Sequence, residues 1–267
     1  MRVQLLSDLH METEAFEPEV ASEADLLILA GDVDSTWQGL RCFRDWPVPV
    51  LFVPGNHEYD GRDFEAAREG LRALSEELGF VLLDNAARVL TDAQGRRVRF
   101  VGSTRWSDFD VFGAAERERA MRAAGYFQRV MAATRHGLPF DAAAVREEAL
   151  ACLNWLSSEL QAGETSEHWD ATVVITHFAP SLRSADPRYG RQPGTASFCN
   201  NDEALLPLAR LWLHGHLHCQ HDYWFEAGTG VPTRVFCNAR GHLRKGEPAR
   251  FQPKQTIEVF APRPFRT

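Results

Sequence analysis

The chain has 267 residues, 44% of them hydrophobic and 25% charged, with 19 Gly and 14 Pro scattered along it. That suffices to bury roughly 70–75% of the unfolded surface without covalent staples, and it excludes collagen-like, coiled-coil and wholly disordered chains. With 29 basic against 37 acidic side chains the formal charge is -8, so the surface as a whole repels nucleic acid and anionic membrane, and no apolar run approaches the roughly 20 residues of a membrane span.

In chain order, runs of strand length rich in Val, Ile, Leu and Phe appear at Val3 to Leu6, Leu26 to Ala30, Val50 to Val53, Val81 to Leu83 and Val98 to Gly102. Between them Phe64, Ala67, Leu71, Leu74 and Leu78 share one helical face that stops at Gly79. Gly113 to Arg135, rich in Ala, Arg, Glu and Met, reads as helical. A further helix starts at the N-cap Asp141 and carries Val145, Ala149, Cys152, Leu153, Leu156 and Leu160 on one stripe up to Gly163. Strands then dominate: Thr172 to Thr176, Leu211 to Leu213, Tyr223 to Phe225, Arg234 to Cys237 and Thr256 to Phe260. No repeat or low-complexity linker divides the chain. The reading is one α/β domain over residues 1–267 with a helical insertion at about 107–167.

The five cysteines, Cys42, Cys152, Cys199, Cys219 and Cys237, are odd in number, widely spaced and contain no C-x-x-C pair. A reducing compartment follows. The first ten residues turn polar and acidic before any signal-peptide core develops, so the expected location is cytoplasmic.

The polar residues carry the chemical information, because strand patterns end directly in ligand-type side chains. Val3 to Leu6 runs into Ser7-Asp8-Leu9-His10, Leu26 to Ala30 into Gly31-Asp32, and Val50 to Val53 into Pro54-Gly55-Asn56-His57-Glu58. Thr172 to Thr176 runs into His177, and Leu211 to Leu213 into His214-Gly215-His216-Leu217-His218. In α/β proteins the crevice at the carboxyl ends of strands is where sites are built. Carboxylate, imidazole and amide oxygen make a mixed N/O set suited to Mn, Fe, Zn, Co or Ni rather than Ca. Two Asp, one Asn and four or five His exceed the needs of one ion, which points to two metals sharing a carboxylate. Gly31, Gly55 and Gly215 fit sharp turns that aim successive ligands inward.

Each cluster alone has a plainer reading. Asp-Leu-His after a strand is usually a turn or helix cap, Asn56 after Gly55 is turn chemistry, and His214 to His221 with Cys219 suits a structural zinc. Taken together, five clusters in this order behind strands are not a coincidence.

As a set they resemble the calcineurin-like metallophosphoesterase superfamily, whose pattern is D-x-H, G-D, G-N-H-[DE], a lone H, and G-H-x-H. Every element is present between residues 8 and 218. The Thr-His-Phe-Ala-Pro and Trp-Leu-His-Gly-His-Leu-His blocks are similar to a bacterial subgroup of unassigned substrate. The resemblance implies a two-sheet α/β/β/α sandwich with a dinuclear site at one edge. It implies that Asp8, His10, Asp32 and His218 hold one ion, that Asp32 bridges, and that Asn56, His177 and His216 hold the second. His57 would face the substrate, and a small phosphorylated molecule would be hydrolysed by metal-activated water attacking phosphorus in line. Monoesterase, diesterase and nucleotide pyrophosphatase activities all suit such a centre; a nuclease and a non-catalytic scaffold are the alternatives.

Phe178 stands where many relatives carry a second His. His214 is expected in a supporting structural role and Asp34 as a cap, while Glu58 and Asp60 are expected to be solvated turn carboxylates, with orientation of His57 as the alternative. Ala239 to Arg250 reads as a solvated basic loop, with Arg240 a candidate phosphate contact beside Asn56, His57, Arg183 and Asn200. The aromatics Trp106, Phe109, Phe112, Tyr126 and Phe127 are expected to pack in the core, the alternative being that the helical insertion roofs a pocket and stacks them on a base.

Overall fold

The computed structural model of the protein describes residues 1–164, 168–228 and 231–262. The first third supplies β1 (Arg2–Leu6), β2 (Leu26–Leu29) and β3 (Val50–Phe52), then α1 (Phe64–Leu78), β4 (Val81–Leu82), β5 (Ala86–Thr91) and β6 (Arg97–Ser103). Next come α2 (Arg117–Met131), the short strands β7 (Thr134–Arg135) and β8 (Leu138–Pro139), and α3 (Ala142–Glu164). The remaining strands are β9 (Ala171–Thr176), β10 (Leu211–His214), β11 (Gln220–Phe225), β12 (Thr233–Asn238) and β13 (Thr256–Glu258).

One sheet has the order β13-β1-β2-β3-β4 and the other β11-β12-β10-β9-β6-β5. In each the central strands run parallel and the antiparallel partners sit at the edges. Parallel strands are buried on both faces, which is why β2 reads Leu-Leu-Ile-Leu without alternation. Leu5, Ile28, Val53, Phe100, Ile175 and Leu213 pack between the sheets. Helix α1 covers the outer face of the first sheet through Phe64, Leu71 and Leu78 against Leu27, Leu29 and Phe52. The second half of α3 covers the other outer face through Leu156 and Leu160 against Val174 and Trp212. The result is the two-sheet sandwich that the resemblance implies. Among the described residues no helix is long and apolar enough to cross a membrane.

The caps follow from the sequence. Asp63 accepts the Glu65 and Ala66 N–H groups at the start of α1, and Gly79 at φ 75° ends it. Asp141 accepts from the Ala143 and Ala144 N–H groups at the start of α3. That helix continues through Gly163 to Glu164 rather than stopping at the glycine. The helix expected up to Arg135 ends at Met131, where Ala132 turns left-handed at φ 50°. Thr134 to Pro139 instead form a hairpin around His136 and Gly137, both at positive φ, the backbone that a two-residue turn requires. Strand β5 carries no apolar run because it is a half-exposed edge strand paired only with β6.

The two sheets meet at the carboxyl ends of their parallel strands. Ser7 bridges Ala239, and the Arg240 and Gly241 N–H groups donate to the Ser7 and Asp8 carbonyls. The loops after β1, β2, β3, β9, β10 and β12 therefore open onto one edge.

Candidate metal centre

Tight loops turn successive polar side chains into this edge, and the backbone shows the strain. Asp8, His10, Asp32, His216 and His218 all have φ between 47° and 72°, a left-handed conformation that costs a non-glycine residue on the order of 1–3 kcal/mol. Compensating bonds hold it: Asp8 N–H to Gly31 O at 3.0 Å and His10 N–H to Asp32 O at 3.1 Å. Of the three glycines expected at sharp turns, only Gly31 has positive φ, at 88°. Gly55 and Gly215 are needed for close approach instead. A Cβ on Gly55 would strike Asp32 and His177, and one on Gly215 would strike Ser7 and Asp8.

The seven expected ligands come together. Ring nitrogens and carboxylate oxygens of His10, Asp32 and His57 lie within 4.8 Å of one another, and so do those of Asp32, His177 and His216. Asp32 belongs to both groups. Asp8 is fully buried, takes the His216 N–H at 3.0 Å and lies 3.5 Å from His218 Nε2. Asn56 Oδ1 lies 3.2 Å from His177 Nε2.

The outward partners of the imidazoles set their tautomers. His177 Nδ1 donates to Ala30 O at 2.8 Å and His216 Nε2 to Ser197 O at 3.1 Å. Both acceptors are carbonyls, so in neutral rings the facing nitrogens, His177 Nε2 and His216 Nδ1, carry lone pairs 3.2 Å apart. The same holds across the site. His10 Nδ1 is tied to Glu12 at 3.1 Å and His218 Nδ1 to Glu247 at 2.7 Å, leaving their Nε2 atoms facing each other at 2.9 Å. Two lone pairs at such distances repel unless a cation lies between them. Asp32 Oδ2, buried and 3.1 Å from His177 Nε2, adds a further ligand atom aimed at the same space.

Electrostatics agree. Burial disfavours charge on His177, yet Asp32 outweighs it and raises its pKa to about 9. Burial and then the His177 charge hold His216 well below the usual histidine range. A pocket that draws a proton onto one ring of a facing pair favours a positive charge there. The donor set thus fits transition-metal ions.

His57 sits beside these groups without the same tether. Its Nδ1 meets Asp60 Oδ2 at 2.7 Å, which leaves Nε2 for the cavity. Against burial, Asp32 and then Asp60 raise its pKa to about 10. Asp60 therefore orients His57 rather than standing free in solvent. Glu58 is not solvated either: it is fully buried and accepts the Asp32, Val33 and Gly55 N–H groups at 2.9, 2.8 and 2.7 Å, tying two ligand loops together. Asp34 caps a turn through the Thr36 and Gly39 N–H groups, as expected.

Three expected substrate contacts lie elsewhere. Arg183 stacks on Tyr223 and donates to Trp224 O. Asn200 is fully buried, with its amide donating to Arg105 O and accepting from Asp108 N–H. Arg240 is buried and donates to Leu9 O and Ala15 O. The polar atoms of Asn200 and Arg240 are spent on holding loops, while Arg183 is exposed and outside the cavity lining. His214 is likewise buried, on Ser184 Oγ and Gly215 O, outside every ligand group found among the described residues.

Two residues were missed. His242 stacks on His10 at 4.4 Å and joins His10 and His218 in a third ligand group. Glu247 holds both the His218 ring and the His242 N–H. Their signal was a histidine and a lone acid inside an otherwise basic stretch, which reads as a solvated loop.

A cavity of about 720 Å³ opens over the site, floored by Asp32, Asn56, His57, His216 and His218 and roofed by α2. Trp106 and Phe109 pack in the core as expected, at 2% and 1% exposure, but Tyr126 and Phe127 are 62% and 42% exposed and line the cavity. Helix α2 buries Ala120, Ala124 and Met131; Tyr126 falls off that stripe, whereas Phe127, three residues after Ala124 and four before Met131, shares its face and reaches the Phe198 ring.

A family model for calcineurin-like phosphoesterases matches residues 1–220. Among solved structures, the phosphopantetheinyl hydrolase PptH from Mycobacterium tuberculosis is similar at a TM-score of 0.69 and 18% sequence identity, over 97% of this chain and 98% of that one. Comparison with curated proteins finds no match.

Proposed function

The chain belongs to the calcineurin-like phosphoesterase family, and from that premise we propose that it hydrolyses a small phosphate mono- or diester with two transition-metal ions, drawn from Mn, Fe, Zn, Ni and Co. Asp8, His10, Asp32 and His218 hold one ion, and Asp32, Asn56, His177 and His216 the other. The observation that carries this reading is the pair of imidazole couples whose inward nitrogens approach each other at 2.9 and 3.2 Å, with Asp32 shared by two of the ligand groups. When bound, the ions acidify the attacking water and neutralise the phosphoryl oxygens.

The chain's own residues do the rest. Glu58 and the glycine turns hold the ligand loops at their separation, and Glu12, Ala30 O, Ser197 O and Glu247 keep each ring turned inward. His57, its Nδ1 braced by Asp60 at 2.7 Å, is the group placed to give a proton to the departing alkoxide oxygen. The absence of a long basic stripe in the sequence favours a small substrate over nucleic acid. Five free thiols suit a reducing, cytoplasmic setting.

The test is metal-reconstituted protein assayed on p-nitrophenyl phosphate, bis-p-nitrophenyl phosphate, cyclic nucleotides and nucleotide diphosphate conjugates. A phosphopantetheinyl ester belongs beside them, since the solved neighbour is named for that hydrolysis. Turnover with two ions per chain by elemental analysis is expected. A single zinc on His214, His216, His218 and Cys219, or no ester hydrolysed with metal bound, overturns the reading.

A further inference from the structure

Exposed apolar side chains are normally scattered over a protein surface, and a concentration of them marks a binding surface. Among the described residues, Tyr126, Phe127, Val130 and Tyr189 are large, apolar and exposed, and all four line the cavity over the metal-ligand groups. Their rings are also connected to the site. Tyr126 meets Phe127 at 5.5 Å, Phe127 meets Phe198 edge-on at 5.1 Å, and Phe198 lies 5.0 Å from the His216 ring at an angle of 31°. Phe178 covers the other side of His216 at 4.1 Å. A path of aromatic faces therefore leads from the rim to one of the rings at the phosphoryl position.

We propose that this path binds the organic arm of the substrate, and that the arm is apolar, either an aromatic ring or an alkyl chain of several carbons. The inference rests on the phosphoesterase reading of the site below. A phosphoryl group is small against a cavity of about 720 Å³, so most of the space belongs to whatever the phosphate is attached to. The chemistry of that space is asymmetric. Its floor is polar and its roof is aromatic, which suits a molecule with a charged end and an apolar body. Rings present flat faces at low entropic cost, since each has two side-chain torsions to fix. Tyr126, which begins the path, lies on α2 outside the stripe that attaches the helix to the core, so it shapes the cavity without supporting the fold, and Phe127, on the face of that stripe, carries the path on to Phe198.

Alkylphosphonates test this independently of turnover. Calorimetry on the metal-loaded protein measures Kd for methyl, butyl, hexyl and benzyl phosphonate, whose phosphorus end is the same. Each buried methylene is worth a factor of roughly four, the equivalent of about 0.8 kcal/mol. Partial burial should still tighten binding at least about tenfold from methyl to hexyl. Tyr126→Ala and Phe127→Ala should each flatten that series, while Val20→Ala, an exposed apolar position outside the cavity lining, keeps the slope. Equal Kd values along the series in the native protein, no phosphonate binding at all, or a slope that survives in both aromatic variants would overturn the proposal. A steep series in a protein that hydrolyses no p-nitrophenyl ester would uphold the apolar subsite and count against the phosphoesterase reading alone.

Discussion

The ligand edge and the α2 roof face each other across one cavity and are built on opposite rules. At the edge, each imidazole expected to hold metal has its second nitrogen tied: His10 to Glu12, His177 to Ala30 O, His216 to Ser197 O and His218 to Glu247. His10, His216 and His218, with Asp8 and Asp32 beside them, accept left-handed backbone to do so. On the roof, Tyr126 and Val130 are more than half exposed. The difference separates two requirements. Charge stabilisation demands groups already in place, because reorganising them would cost what they contribute, whereas recognition of an apolar body needs surface more than aim.

The sharpest way to break this comparison is to remove the residue the edge depends on most. Asp32 stands in both ligand groups and its Oδ1 accepts the His57 N–H at 2.8 Å. Asp32→Ala should deplete metal by elemental analysis and abolish turnover of every ester, whatever its leaving group. Two retained ions would show that the edge does not work as a shared site. His57→Ala is the next step down. Metal content should stay, while kcat falls by roughly 10²- to 10⁴-fold, less for an activated leaving group that needs no proton. Loss of metal equal to that of Asp32→Ala would make His57 a ligand rather than an acid.

Glu247 sharpens the comparison from outside the family-matched region, which ends at residue 220. Its carboxylate receives the His218 Nδ1 proton and also the His242 N–H. Removing a carboxylate behind a metal-bound imidazole typically weakens metal affinity by about 10- to 100-fold. Glu247→Gln should do the same in a chelator competition. No change would mean that the ring is held by packing alone.

Why this residue escaped sequence reasoning is physical. The ligand clusters were legible because parallel strands leave uninterrupted apolar runs, so the polar residue after each run stands out; Leu26 to Ala30 before Gly31-Asp32 is the clearest case. Glu247 and His242 stand several residues beyond the end of β12, inside a basic stretch, so neither directly follows an apolar run. Arg240 misled for a related reason. Its burial depends on carbonyls of Leu9 and Ala15, over two hundred positions away in the chain, and local composition says nothing of them. Strand β5 and the hairpin after α2 were illegible because edge strands and two-residue pairings bury too little to imprint a pattern. The roof was half legible: the aromatics were visible, but Trp106 and Tyr126 have the same hydrophobic character, and only the helix's attachment to the core tells them apart.

That distinction gives the smallest and most discriminating prediction. Trp106 packs against Tyr59, Phe64, Phe140 and Phe178, while the Tyr126 ring has Phe127 as its aromatic neighbour and is 62% exposed. Truncating an exposed ring forfeits little burial. In a helix interior alanine also has the higher intrinsic propensity, by several tenths of a kcal/mol. The two effects oppose each other, so Tyr126→Ala should leave the unfolding free energy within about 0.5 kcal/mol of the native protein in urea titration, with an unchanged m value. A loss above roughly 1 kcal/mol would place the ring in the core. The roof would then obey the same rule as the edge, and the division between a rigid chemical floor and an adaptable apolar cover would not hold.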